Sequence, residues 1–111
     1  MSQRESKLSR SIMNGLRLKG CFCFKVWGSE HMMAGLPDII GCNNGKFFGL
    51  EVKLPENRSG TSKVQEHVME KIRNAGGISQ VVCTLQEACK VLGLTDESVI
   101  ASRSSHRPGT K

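Results

Sequence analysis

A short turn between two apolar segments constrains the fold of this chain more than any other feature. Residues 43–45 read Asn-Asn-Gly and separate apolar segments at residues 37–42 and 46–54. Asn-Gly is the strongest short signal for a two-residue hairpin turn, because both residues tolerate the positive φ that the turn requires. The sequence therefore predicts two antiparallel strands in which Asn43 lies opposite Lys46.

That register brings charged residues together inside apolar strands. Counted outward from the turn, Asp38 lies directly opposite Glu51. Because side chains alternate along a strand, Glu51 and Lys53 share one face while Leu50 and Val52 share the other. We therefore expect Asp38, Glu51 and Lys53 to form one patch. A three-residue loop would shift the register and separate them.

The remaining segments predict one small mixed α/β domain, a β-sheet flanked by helices, over residues 1–94. Apolar residues recur four apart in the predicted helices and alternate in the predicted strands. Thr84 and Glu87 match a capping box at the start of the last helix. We expect the polar residues 95–111 to form a flexible tail. The predicted order is α-β-β-β-α-β-α, with helices at residues 2–18, 63–75 and 84–92 and strands at residues 21–27, 37–42, 46–54 and 78–83.

Composition narrows the class of partner. The net charge of +6 and the pI near 9.3 favour a polyanion such as nucleic acid. No apolar run approaches the roughly 20 residues that a membrane span needs, so we expect a cytoplasmic protein without membrane contact. The five cysteines are odd in number and contain no CxxC pair, which favours buried free thiols over a zinc site or disulfides.

The charged patch has two possible explanations. Two carboxylates that face each other across a ladder repel, unless a divalent cation lies between them. A neighbouring lysine can then position or deprotonate a water, or neutralise developing charge, as in metal-assisted phosphodiester hydrolysis. Alternatively, Asp38, Glu51 and Lys53 lie on a solvated sheet face with an ordinary cross-strand salt bridge. The residues alone leave both explanations open.

Two further polar residues have the same ambiguity. Glu5 lies on the inward stripe of the first helix, where an apolar residue is expected, but Ser2-x-x-Glu5 also matches a capping box. Gln65 begins the second helix just after the loop that follows Lys53, and Ser62-x-x-Gln65 matches the same motif. Each residue can belong to the site, to a helix cap or to both. In the site, Gln65 would contact a metal-bound water or a phosphate.

The order of these residues resembles a known nuclease domain. Gly35-Leu36-Pro37-Asp38, then Gly41, then Glu51-Val52-Lys53 with Pro55, then Gln65 is similar to the VRR-NUC domain of the PD-(D/E)XK superfamily. The resemblance implies a restriction-endonuclease-like core and a DNA nuclease that depends on Mg²⁺ or Mn²⁺. It implies that Asp38, Glu51 and the backbone carbonyl of Val52 bind the metal and that Lys53 is the catalytic lysine. Gln65 and Glu5 would complete the catalytic set, with Glu5 as a further candidate metal ligand.

The resemblance also carries expectations about substrate and assembly. Stand-alone members from phages and bacteria pair as homodimers and cut branched DNA such as Holliday junctions. A dimer also suits the small size of the chain, because a two-fold axis places two active sites on the paired strands of a junction. The cytoplasm of a bacterium or of a phage-infected host is the implied location.

A non-catalytic, basic DNA-binding module is the alternative. Basic residues on the first helix would lie against phosphates, although the same charges suit a solvated helix face. The acidic cluster separates the two hypotheses, because carboxylates weaken binding to phosphates unless a cation is present. The residues predicted to contact DNA are Arg4, Lys7, Arg10, Arg17, Lys19, Arg58 and Lys63.

Overall fold

The predicted order of helices and strands is confirmed. The computed structural model describes residues 2–28 and 30–94, so the predicted tail at residues 95–111 lies outside the described residues. The strands are one to three residues shorter than predicted. The elements are α1 (Gln3–Leu18), β1 (Phe22–Lys25), β2 (Ile39–Asn43), β3 (Lys46–Val52), a 3₁₀ turn (Pro55–Asn57), α2 (Lys63–Asn74), β4 (Ile78–Val82) and α3 (Leu85–Val91).

The four strands form one mixed sheet in the order β1-β2-β3-β4. β1, β2 and β3 pair antiparallel, whereas β4 pairs parallel to β3, with α2 as the crossover that a parallel connection requires. The hairpin register is confirmed, with Asn43 opposite Lys46 and Ile39 opposite Leu50. Asn44 and Gly45 adopt φ values of 53° and 80°, as a turn of this type needs.

One face of the sheet carries the main core. Phe48, Leu50 and Val52 of β3 are fully buried and pack with Ile12 and Leu16 of α1. α3 lies against the same cluster. We call this the apolar face. The alternation predicted for β3 therefore places its large apolar side chains as expected.

Gly41 is required at the centre of this packing. A Cβ at Gly41 would lie 2.6 Å from Cζ of Phe48 and 2.3 Å from the carbonyl oxygen of Phe22. Both distances are shorter than a carbon atom tolerates, so a larger residue would displace the core or the β1 backbone. This glycine, one of those that matched the nuclease motif, thus has a structural role.

The other face is divided between a covered and an exposed part. α2 covers β3 and β4, and two residues of this helix, Val68 and Met69, are buried. Over β1 and β2, no helix of the described residues covers the sheet, and Phe22, Phe24 and Phe47 are exposed. The rings of Phe22 and Phe24 lie 6.1 Å apart in an edge-on arrangement. We call these three residues, with Cys42 between them in the ladder, the outer aromatic face.

The cysteines agree with expectation except at this face. Cys21, Cys23, Cys83 and Cys89 are buried free thiols, as predicted. Cys42 is also free but exposed, so its predicted burial is wrong. The reason is that α2 packs over β3 and β4 and leaves the outer side of β2 open.

Side-chain caps begin all three helices. Ser2, Ser62 and Thr84 each accept a hydrogen bond from the backbone N–H three residues further on. The capping box predicted for Thr84 is incomplete, because Glu87 accepts from the N–H of Cys83, at 2.6 Å, one residue before the cap. Each cap of this kind stabilises the protein by about 1 kcal/mol. Among the described helices, none is long and apolar enough to cross a membrane.

Candidate active site

Asp38 is tied to strands on both sides. Its backbone carbonyl accepts the N–H of Val26 at 2.7 Å, which continues the β1–β2 ladder by one step. Its Oδ2 accepts the N–H of Val52 at 2.8 Å. The carboxylate is therefore oriented by β3, directly beside Glu51, as the register predicted.

Glu51 is the most buried acidic group of the site. Its side chain is 4% exposed, and Oε2 lies 3.5 Å from Nζ of Lys53 and 3.1 Å from Nε2 of Gln65. Oε1 is buried and has no hydrogen-bond partner among the described residues. The solvated-face explanation is wrong, because the parallel crossover places α2 over this part of the sheet.

Burial and like charge raise the pKa of both acids. Burial raises the pKa of Glu51 to about 7, the negative charge of Asp38 adds to the effect, and Lys53 opposes it. Burial also raises the pKa of Asp38, against the Val52 hydrogen bond and the positive charges of Lys25 and Lys53. Two acids held together in this way are typical of a functional site.

Gln65 completes the predicted capping box and also contacts Glu51. Its Oε1 accepts the N–H of Ser62 at 2.8 Å and its own backbone N–H donates to Oγ of Ser62 at 3.2 Å. Its Nε2 donates to Oε2 of Glu51 at 3.1 Å. The cap thus fixes the amide that orients the carboxylate. The predicted contact with a metal-bound water or a phosphate stays a prediction.

Glu5 lies in the first turn of α1, near the two acids. Its backbone N–H donates to Oγ of Ser2 at 3.1 Å, so Ser2 caps α1 as expected. The negative charge of Glu5 also raises the pKa of Asp38 and of Glu51, which places it close to both. Glu5 therefore lies both in the capped first turn of α1 and near the two acids.

The acids fit a small, hard cation. In the described residues, no group of three or more His, Cys, Asp or Glu side chains is arranged to hold a metal ion. Mg²⁺, however, is usually held by one or two carboxylates with waters and phosphates. Asp38 and Glu51 supply two, and the unpartnered Oε1 of Glu51 is a buried acceptor that a cation would satisfy. The donor set therefore suits Mg²⁺ or Mn²⁺ better than a softer metal.

The predicted DNA-contacting residues do not form one free cationic surface. Several of them are bound within the protein, because Arg4 pairs with Glu56 at 2.7 Å and Arg58 pairs with Glu87 at 2.7 Å. Arg17 donates to the carbonyl of Cys23 and ties α1 to β1. Arg4, Arg17 and Arg58 remain exposed despite these contacts, and Lys19 is partly buried at the end of α1. Lys7, Arg10 and Lys63 are exposed and, among the described residues, form no such ion pair.

Lys25 was not identified from the sequence. Its positive charge opposes the rise that burial causes in the pKa of Asp38, so it lies close to that carboxylate. The register of β1 on β2 places it opposite Ile39, next to Asp38 in the chain. β1 and β2 are joined by a long loop, and no short sequence motif specifies how two such strands pair. The position of Lys25 near Asp38 could therefore not be predicted from the sequence.

The chain is similar to known proteins in both sequence and fold. Residues 1–88 match the family model described as archaeal Holliday junction resolvase (hjc). The fold is similar to the 1.6 Å structure of Archaeoglobus fulgidus Hjc, described as a Holliday junction resolvase from an archaeal hyperthermophile, with a TM-score of 0.50 and 17% identity. The similarity covers 71% of this chain and 67% of that one, and it confirms the predicted fold class. No curated protein sequence matches.

Proposed function

Because the chain belongs to the archaeal Holliday junction resolvase family, we propose that Asp38, Glu51 and Lys53 form the active centre with which it cuts branched DNA. The chain is a structure-specific DNA endonuclease of the PD-(D/E)XK type, and nucleases of this family depend on a divalent metal. The narrower relationship to the VRR-NUC domain stays a prediction.

One observation carries the assignment of the site. Glu51 holds a buried, unpartnered Oε1 beside a second carboxylate, although burying an acceptor oxygen without a hydrogen-bond partner costs free energy. A divalent cation held by Asp38 and Glu51 would remove that cost. We assign the metal as Mg²⁺ or Mn²⁺, with the backbone carbonyl of Val52 as a third ligand and Glu5 as a further candidate.

The protein groups around this cation have separable roles. When bound, the cation supplies charge neutralisation and polarises the phosphate that is to be cut. Asp38 and Glu51 hold it, and the Val52 N–H keeps Asp38 in place. The Lys53 ammonium, 3.5 Å from Oε2 of Glu51, would hold the attacking water or neutralise the charge that develops on the phosphate. Gln65 orients Glu51 through its capping box.

Cleavage of defined DNA substrates tests the site. Four-way junction, flap and linear duplex DNA are incubated with the wild type, Asp38→Asn and the control Glu70→Gln, which changes an exposed acid on α2. With Mg²⁺ or Mn²⁺, we expect Asp38→Asn to cut the junction about 100-fold more slowly or worse, since a metal supplies several kcal/mol of transition-state stabilisation. Cleavage by Asp38→Asn at the wild-type rate would contradict the assignment.

The non-catalytic module is disfavoured by the same geometry. The buried Glu51 and the half-buried Asp38, beside a DNA-binding surface, would repel phosphates in the absence of a cation. We therefore expect junction affinity to rise on addition of Mg²⁺, which a fluorescence anisotropy titration measures. The proposed phosphate contacts are the exposed Lys7 and Arg10 on α1 and Lys63 on α2. A cytoplasmic location is also proposed, because the proposed substrate is DNA.

We propose that the active form is a homodimer paired through the outer aromatic face. Phe22, Phe24 and Phe47 form an exposed apolar surface, and such surfaces usually mark interfaces. A second copy is the occupant that suits it, because a two-fold axis pairs this face with itself and supplies the second site that paired cuts require. The face carries no basic side chain that would suit DNA.

Light scattering after size-exclusion chromatography tests the dimer. We expect the wild type to elute as a dimer at micromolar concentration and Phe24→Asp to elute as a monomer, because the charge would be buried in the interface. Leu18→Asp, on the exposed side of α1, serves as the control and should remain dimeric. A monomeric wild type would refute this assembly.

A further inference from the structure

An exposed tryptophan follows the residue that pairs with Asp38 through the backbone. Trp27 is 74% exposed, although an indole is among the largest apolar side chains. It follows Val26, whose N–H donates to the carbonyl of Asp38 at 2.7 Å. Consecutive Cα atoms are about 3.8 Å apart, so the indole begins within one residue of the backbone that carries the acid. The position of the indole is therefore set by the backbone pairing of its neighbour Val26 and not by burial in the core.

A lysine links this ring to the site. Nζ of Lys25 lies 5.5 Å from the centre of the Trp27 ring, within the range of a cation–π attraction. Lys25 also lies opposite Ile39 in the ladder, next to Asp38 in the chain. The lysine therefore connects the ring to the chain segment that carries the carboxylate. Proteins that bind unpaired nucleic acid combine these two elements, cations for the backbone and aromatic rings for the bases.

We propose that Trp27 is a stacking platform for a nucleobase that is unstacked at the branch point of the DNA. This inference rests on the proposed function, because it makes the ring a specificity-determining contact of the same active centre. In a continuous duplex each base face is covered by its neighbour, so an indole finds no free face to stack on. A branch point exposes such faces. Stacking there would hold the adjoining phosphate over Asp38 and Glu51 and select branched over linear DNA.

Fluorescence tests this contact directly. The sequence contains one tryptophan and no tyrosine, so intrinsic emission reports on Trp27 alone. The full chain is titrated in EDTA, which withholds the metal, with a four-way junction or a linear duplex of matched sequence, and occupancy is followed by anisotropy of labelled DNA. We expect strong quenching on the junction and little on the duplex. Unchanged emission at saturation with junction, or equal quenching by both, would overturn the proposal.

Variants separate stacking from folding. Trp27→Ala should reduce junction affinity about 10- to 100-fold, the range that loss of one stacked base predicts, and leave duplex affinity unchanged. Trp27→Phe retains an aromatic face and should restore most of the affinity. As a control, Leu18→Ala removes an exposed apolar side chain at the end of α1 and should change neither junction affinity nor duplex affinity. Equal losses on junction and duplex, or a Trp27→Phe protein as weak as Trp27→Ala, would reject stacking.

Two outcomes distinguish this inference from its premise. If Asp38→Asn still cuts DNA while Trp27 is quenched by junctions, the metal site is wrong and the stacking contact stands. If Asp38→Asn is inactive and Trp27 stays unquenched, the site stands and the stacking contact is wrong. Emission that shifts to shorter wavelength with protein concentration in the absence of DNA would place Trp27 in a contact between copies and overturn the proposal.

Discussion

The two faces of β3 are both buried, but they are buried for different purposes. On the apolar face, Leu50 and Val52 pack against α1 and α3 and have no polar atoms to satisfy. On the face beneath α2, Ser79 and Glu51 are buried polar residues. Ser79 donates to the carbonyl of Gly49 at 2.7 Å and is fully satisfied, whereas Glu51 keeps an unpartnered oxygen.

This difference separates structure from function. A buried polar group that is satisfied stabilises or is neutral, but an unsatisfied one costs free energy and needs an explanation. Ser79 therefore belongs to the packing of β4 on β3. The unpartnered oxygen of Glu51, which lies beside a second carboxylate, is the observation on which the proposed metal assignment rests.

The largest effect on stability should come from the apolar face. Leu50→Ala removes a fully buried side chain and leaves a cavity, so we expect a loss of about 2–5 kcal/mol in the free energy of unfolding. Urea denaturation measures this loss. Cleavage per folded molecule should remain near the wild-type value at low temperature. A specific loss of cleavage in a well-folded Leu50→Ala protein would show that the two faces are not independent.

The opposite result is expected for Glu51→Gln. The pKa of Glu51 rises from its ordinary value of 4.5 to about 7, and each tenfold change in proton affinity corresponds to about 1.4 kcal/mol. Removal of this buried charge should therefore stabilise the metal-free protein by up to about 3 kcal/mol at pH 8, measured by urea denaturation in EDTA. Cleavage should be lost. A Glu51→Gln protein that is active and less stable than the wild type would contradict the proposal that Glu51 is a metal ligand whose buried charge destabilises the metal-free protein.

The pH dependence of stability sharpens the same comparison. A carboxyl whose pKa is raised on folding binds more protons in the folded state between pH 4.5 and about 7. The free energy of unfolding should therefore fall as pH rises through this window, by at most about 1.4 kcal/mol per pH unit for one group. Asp38 acts in the same direction. In EDTA, Glu51→Gln should show a smaller slope than the wild type, and equal slopes would contradict the assignment.

The smallest effects should separate the two roles of Gln65. Gln65→Ala removes half of the capping box and the hydrogen bond to Glu51, so we expect about 1 kcal/mol of destabilisation and roughly tenfold slower cleavage. Ser62→Ala weakens the same cap but leaves the Glu51 contact, so its cleavage rate should stay unchanged. Equal cleavage by the two variants would assign Gln65 to the cap alone.

Much of the proposed site follows from local sequence rules. The register that places Asp38 beside Glu51 depends on the Asn44-Gly45 turn and on the alternation of side chains, and both act over a few residues. The capping box of Gln65 is equally local. These features were predictable because each is specified by neighbours in the chain.

Several contacts that the sequence did not reveal join distant segments. The pairing of Arg58 with Glu87 joins residues far apart in the chain, and Arg4 reaches Glu56 in the same way. Charge patterning alone therefore does not reveal which cations are paired within the protein. The predicted capping box of Glu87 is wrong, because its carboxylate accepts from the N–H of Cys83 and pairs with Arg58.

By itself, the sequence determined the hairpin, its register and the helix starts, because turn chemistry, alternation and caps are set by adjacent residues. The tertiary structure decided that Glu51 is buried rather than solvated, that Lys25 lies near Asp38 and near the Trp27 ring, and that an aromatic face stays open. These outcomes depend on where α2 lies across the sheet and how β1 pairs with β2. Such long-range packing sets desolvation, and desolvation gives the two acids their raised pKa.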